Sequence, residues 1–395
     1  MSKATQRRLR DRNGKFLRPR LHPSSVVLLA AVLLLTWAAG VTAAVPAETL
    51  PRDPAKPNET YSNVDVLYDV VVAPTHQRLR AIVTKPHDAQ GRLPVIFLAG
   101  WLSCDSVEAP EGTKDASGLV FRELASLPGY CTFRIDKPGV GDSEGDCSAT
   151  DFDTELGAYR AAFKSLQQYD FIDSSRIFLL GISNGGGFAP LVPQTQAEQE
   201  NVRGYVVVGG WVKTWFEHMM EIERRRFTLM GRSPAQVNDR MKGVATIYHE
   251  LLFKNRPVSD IFEMQPKLVD LWPEGADHQH LYGRPLAFYQ QLQRLNLAAA
   301  WSKVKVPTLV LHGEYDWIMS ADDSELIARI VNANRPGSAR YIQLPATGHT
   351  FQHYLNMGDA FAGKEAPFDP APAKIVVDWF KQMRDKEPAP ATTGT

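Results

Sequence analysis

The chain of 395 residues is poor in features that would narrow its class. Its three cysteines, Cys104, Cys131 and Cys147, are too few to staple a protein of this size, which must bury its own core. It has no net charge, with 44 Lys and Arg against 44 Asp and Glu, and no basic stripe interleaved with aromatics, so a nucleic-acid partner is excluded. No internal repeat is present. What is there is core material: 44% hydrophobic and 10% aromatic residues. That composition predicts a folded globular protein, one large domain with an insertion or two ordinary domains.

The zero charge averages two unlike parts. Residues 1–44 hold Lys3, Arg7, Arg8, Arg10, Arg12, Lys15, Arg18 and Arg20 against the single acid Asp11. The remainder keeps 36 basic and 43 acidic residues, a net of −7. The basic segment runs into 19 residues without a charge, 26–44. A positive flank before an apolar run reads either as a signal peptide cleaved after the small residues around Ala43 and Ala44 or as an uncleaved membrane anchor. In both cases the basic end stays in the cytoplasm and the body is exported, to face the extracytoplasmic side, periplasm or medium. A twin-arginine signal is disfavoured, because Leu9-Arg10 follows Arg7-Arg8 where two apolar residues belong.

Residues 45–64, with Pro46, Pro51, Pro54 and Pro57, read as an extended spacer, and 388–395 as a disordered tail. Between them lie eight short apolar or β-branched runs, at 66–72, 79–84, 95–99, 132–135, 177–180, 205–208, 308–311 and 340–344. The first two, joined through Pro74-Thr75-His76, read as an antiparallel hairpin. Each later run is short, apolar and broken at Gly, Asp, His or Pro, the signature of parallel strands buried on both faces, with functional loops at their carboxyl ends. Residues 211–300 show helical periodicity and no convincing strand, which predicts a helical insertion after strand 6 between core segments 65–210 and 301–387. Its charges, Glu217, Glu221, Glu223, Arg224, Arg225 and Arg226, read as pairs on a solvated helix face. Cys104 and Cys147 both follow strand-end loops at one edge of the sheet, which favours that disulfide; three free cysteines are the other reading.

Gly181-Ile182-Ser183-Asn184-Gly185 follows an apolar run and precedes a segment able to open a helix. Gly-x-Ser-x-Gly in that context is the nucleophile elbow: the turn that lifts the serine clear of the sheet leaves room only for small residues two positions to either side. The Asn184 N–H then faces the space above Ser183, where negative charge develops. A neutral hydroxyl needs a base, and the base an orienting acid. Two late strands end in candidates for both, Asp316 after His312-Gly313-Glu314-Tyr315 and His349 after Gly348. Asp322 or Asp323 and His353 are the alternatives, the two aspartates reading as helix N-caps and His353 lacking a preceding glycine.

With these motifs the chain resembles the α/β-hydrolase family over about residues 65–385. The resemblance implies an α/β fold with a mostly parallel eight-stranded sheet flanked by helices, a helical lid over the serine, and catalytic roles for Ser183, Asp316 and His349. It implies backbone oxyanion donors at Asn184 and, in the loop after the third strand, at Trp101 with Leu102 as the fallback. The family often has His-Gly before that donor; this chain has Ala99-Gly100. Asp136-Lys137-Pro138-Gly139-Val140-Gly141-Asp142-Ser143 resembles the family's Asp-x-x-Gly-x-Gly-x-Ser loop and reads as a structural turn, its spacing failing a dinucleotide fingerprint. His278 and His280 lack a third ligand at metal spacing. The expectation is a serine esterase without metal or cofactor, acting on a small-molecule ester. A peptidase acting on short peptides and a catalytically inactive extracytoplasmic binding protein are the alternatives.

Overall fold

The structure is a computed structural model and describes residues 49–386. The expected signal or anchor and the expected tail, 388–395, lie outside the described residues. No helix among the described residues is long and apolar enough to cross a membrane.

Eight strands form one sheet: β1 (Val64–Val72), β2 (Arg78–Pro86), β3 (Leu93–Ala99), β4 (Cys131–Ile135), β5 (Ile172–Ile182), β6 (Val202–Val208), β7 (Thr308–Gly313) and β8 (Ala339–Leu344). Their order is β1-β2-β4-β3-β5-β6-β7-β8. Only β2 runs against the others; it pairs antiparallel with β1 and β4, and every remaining pair is parallel. The β1–β2 turn closes at His76, in the left-handed region with φ 64°.

The apolar runs become strands because both faces of the sheet are covered. Along β3, Val95, Phe97 and Ala99 enter one core while Ile96 and Leu98 enter the other. The first core continues without a break into the segment between β6 and β7 through Trp215, Met219, Ile222 and Phe227.

That segment is helical. The helices before it are α1 (Ala116–Ala125), α2 (Phe152–Ser165), α3 (Asn184–Phe188) and α4 (Gln196–Glu200). Within it lie α5 (Trp215–Leu229), α6 (Pro234–Phe253), α7 (Val258–Met264), α8 (Leu286–Gln293) and α9 (Leu297–Trp301). Capping boxes start α5 at Thr214 with Glu217 and α6 at Ser233 with Gln236. One short ladder, His280–Leu281 with Arg284–Pro285, adds strand pairing where none was expected. The charges of α5 are not all solvated. Glu223 is buried and takes Arg226, while Arg225 donates to the backbone oxygens of Trp317 and Ile318 and ties the helix to the turn after β7.

The proline-rich stretch expected as a spacer lies against the domain from residue 50 onward. Arg52 reaches Glu108 at 2.6 Å and Asp142 at 3.1 Å and lies over the Tyr68 ring. Glu59 is buried on Arg134 at 2.8 Å and accepts the Ala109 N–H. Pro54 sits in a turn closed by the Lys56 N–H on the Asp53 oxygen at 3.0 Å, and the N–H groups of Asp53 and Glu59 are taken by Asp142 at 3.1 Å and the Tyr68 hydroxyl at 2.7 Å.

Candidate active site

Ser183 stands between β5 and α3 with φ 57° and ψ −121°, a strained conformation for a residue with a side chain. The neighbouring glycines are required by space. A Cβ on Gly181 would lie 2.7 Å from the Gly185 oxygen, and one on Gly185 would lie 2.0 Å from the Ala99 oxygen. The Ser183 N–H donates to Val208 at 2.8 Å, which pins the turn to β6.

Asp316 and His349 are brought together. Asp316, on the turn after β7, is buried; its Oδ1 accepts the N–H of Ile318 and of Met319, both at 2.9 Å, and its Oδ2 lies 2.6 Å from His349 Nδ1. Burial opposes ionisation of Asp316, but the charge and hydrogen bond of His349 outweigh it and hold the carboxyl below its ordinary range. Burial likewise opposes protonation of His349, and Asp316 outweighs it, so the imidazole titrates above its ordinary value. Ser183 and His349 line one cavity of about 750 Å³, and no hydrogen bond joins the serine hydroxyl to the ring in this arrangement.

Trp101 and Asn184 line the same cavity. The Trp101 ring stacks on Phe121 with centroids 5.9 Å apart. The buried Asn184 side chain accepts the Trp211 indole N–H at 3.1 Å. At the first position of α3 the Asn184 N–H has no partner within the helix, so it stays available.

The alternatives fall elsewhere. Asp323 does not cap a helix: Ser320 occupies the N-cap of α10 (Ala321–Asn334), and Asp323 accepts the N–H groups of Val212 at 2.7 Å and Lys213 at 3.0 Å, where the chain leaves β6. Burial pushes its pKa up to about 6. Asp322 and His353 are exposed. His280 pairs with Asp277. Cys104 and Cys147 form a disulfide, leaving Cys131 free and buried.

Residues 94–354 match the alpha/beta hydrolase fold family, about two thirds of the chain. The chain belongs to the α/β-hydrolase fold family. This α/β-hydrolase has no match among curated protein sequences. Among solved structures it is similar to Est1E of Butyrivibrio proteoclasticus bound to ferulic acid, at 15% identity and TM-score 0.52, covering 80% of this chain and 99% of that one. It is also similar to a hypothetical protein of Pseudomonas aeruginosa, at 15% identity and TM-score 0.50, covering 85% and 99%.

Several groups around the site of this hydrolase-fold protein escaped the sequence reading. His218, on α5, is buried in the cavity wall between Trp211 and Trp215; burial pushes its pKa down to about 3, and its Nδ1 has no partner among the described residues. Behind the Gly100–Leu102 loop lie Lys137, Glu155, Tyr159 and Arg284, all buried. Lys137 sits inside the glycine-rich loop, but nothing in the spacing of that loop says where its side chain goes.

Proposed function

We propose that the protein is a serine hydrolase that cleaves carboxylic esters through an acyl-enzyme on Ser183. The observation that carries the reading is the 2.6 Å contact of His349 Nδ1 with Asp316 Oδ2 in a cavity that Ser183 also lines. With Nδ1 committed to Asp316, Nε2 is the nitrogen left to accept a proton. Ser183 Oγ attacks the ester carbon, its proton passes to Nε2, and the carbonyl π pair moves onto oxygen, held by the N–H groups of Asn184 and Trp101. Collapse expels the alcohol, which takes the proton from Nε2 and leaves the acyl group on Ser183. Water repeats the sequence and releases the acid. Asp316 keeps the imidazole tautomer throughout.

A wall rich in Trp101, Ile182, Trp215, Met219 and Trp317 favours an ester with an apolar acyl group, and the Butyrivibrio protein holds ferulic acid, an aromatic carboxylic acid. Trp215, His218, Met219 and Ile222 come from α5, which supports reading the segment between β6 and β7 as a lid that selects substrate. The Cys104–Cys147 disulfide supports work outside the cytoplasm.

The test is hydrolysis of p-nitrophenyl butyrate and labelling by a fluorophosphonate, each compared between the full-length protein and Ser183→Ala. Both are expected to vanish in the variant. Undiminished turnover there would rule out Ser183 as the nucleophile.

A further inference from the structure

The Gly100–Leu102 loop is held from behind by buried charges. Lys137 is 3% exposed, and its Nζ donates to the Trp101 oxygen at 2.5 Å and to the Leu102 oxygen at 3.3 Å, with Glu155 Oε1 at 3.7 Å. Arg284, fully buried and supplied by the segment between β6 and β7, donates to the same Leu102 oxygen at 3.1 Å, to the Thr150 oxygen at 3.0 Å and to Glu155 at 2.5 Å. Tyr159 accepts the Gly100 N–H at 3.0 Å. Three consecutive residues of the loop are therefore fixed by side chains from three different elements.

We infer that Lys137, with Arg284, is a positioning residue for the oxyanion hole: it clamps the carbonyls of Trp101 and Leu102 so that the loop's N–H groups are set before substrate arrives. The inference rests on the esterase reading above. Peptide planarity supplies the lever. In a trans peptide the carbonyl and the next N–H point in opposite directions, so drawing the Trp101 oxygen to Lys137 aims the Leu102 N–H, the fallback donor, away from Lys137, while that bond and the hold of Tyr159 on the Gly100 N–H together restrict the backbone that carries the Trp101 N–H. Charge adds no second effect, because Lys137 and Arg284 are balanced by Glu155, Asp105 and Asp151, so the lever is positional. Stability alone does not call for such a group, since buried ion pairs are often replaced by apolar residues at no loss.

Burial lowers the Lys137 pKa to about 8, with Glu155 and Asp105 opposing the fall and Arg284 adding to it. The ammonium that holds both carbonyls is thus lost on mild alkalinisation. In the full-length protein, kcat for p-nitrophenyl butyrate should decline with an apparent pKa near 8. Lys137→Arg should keep the charge and carry that alkaline limb upward. Lys137→Met should remove the limb and lower kcat by roughly tenfold to a hundredfold, less than the loss of a whole oxyanion donor, with KM within about threefold. Melting curves show whether each variant is folded. A folded Lys137→Met with kcat within about twofold of the unaltered protein overturns the clamp, as does an alkaline limb that Lys137→Arg leaves in place. Should neither variant fold, a flat kcat profile in the unaltered protein through about pH 10 overturns it equally. A full-length protein that neither turns over the ester nor reacts with a fluorophosphonate sinks the hydrolase reading itself, whereas turnover indifferent to Lys137 sinks only the clamp.

Discussion

Replacing Asp316 by Asn probes the acid–base pair at a single atom. Asp316 divides its work between its oxygens: Oδ1 accepts the N–H of Ile318 and of Met319, and Oδ2 engages His349 Nδ1. An asparagine can keep the first task only with its carbonyl oxygen, because both partners there are donors, and its NH2 then faces His349. A donor opposite Nδ1 makes that nitrogen an acceptor and moves the ring proton to Nε2, the nitrogen that must receive the serine proton. In a Ser-His-Asp arrangement that wrong tautomer lowers kcat by about 10⁴, equal to about 5 kcal/mol of barrier. The pH profile moves as well. Burial lowers the His349 pKa and Asp316 more than restores it, so the acid limb of kcat/KM in the unaltered protein lies above about 6.5. In Asp316→Asn only burial remains, and the limb moves to lower pH. Hydrolysis of p-nitrophenyl butyrate from about pH 5 to about pH 9 reads both effects. A variant within about tenfold of the unaltered protein, or one whose acid limb stays put, refutes the assignment.

Two further substitutions test the scaffold. Gly185→Ala places a Cβ against two backbone oxygens, those of Ala99 at 2.0 Å and Gly100 at 2.4 Å, so the elbow or the end of β3 must shift; the expected cost is about 1–3 kcal/mol with a fall in kcat, and an unchanged urea midpoint with unchanged activity refutes the packing argument. Cys104→Ser with Cys147→Ser opens a loop of sequence separation 43, for which chain entropy gives about 4 kcal/mol. Urea unfolding checks it, and a loss below about 1 kcal/mol contradicts the expectation.

The strands were legible because each is a local fact. A run such as Thr308–Gly313, apolar and then broken by a polar turn, needs no knowledge of its neighbours to announce a buried strand that ends at the working edge of a sheet. That Ser183, Asp316 and His349 lie near one another was legible for the same reason, since each sits within a few residues of such a strand end. The docking of residues 50–63 was not, because Pro51, Pro54 and Pro57 read as an extended path and are silent about what it lies on. The charges of α5 misled by symmetry: an i,i+3 pair such as Glu223 with Arg226 has the same spacing on a solvated face as under another helix.

The groups behind the Gly100–Leu102 loop show where reading by segments stops. Asp136, Gly139, Gly141 and Ser143 fit a known turn, and that fit accounts for the backbone of the loop while leaving the residue between, Lys137, without a stated task. Its acceptors lie 36 and 35 residues upstream, and Arg284 meets Glu155 across 129 residues. In sequence a Lys, a Glu and an Arg so far apart resemble three surface residues, because most residues of these types are exposed. Only the closing of α2, the loop after β4 and the segment between β6 and β7 around one stretch of backbone turns them into a unit. Groups that carry chemistry on strand ends can therefore be found one segment at a time. Groups that hold such a site from behind are set by the meeting of segments, and there the coordinates have to be read.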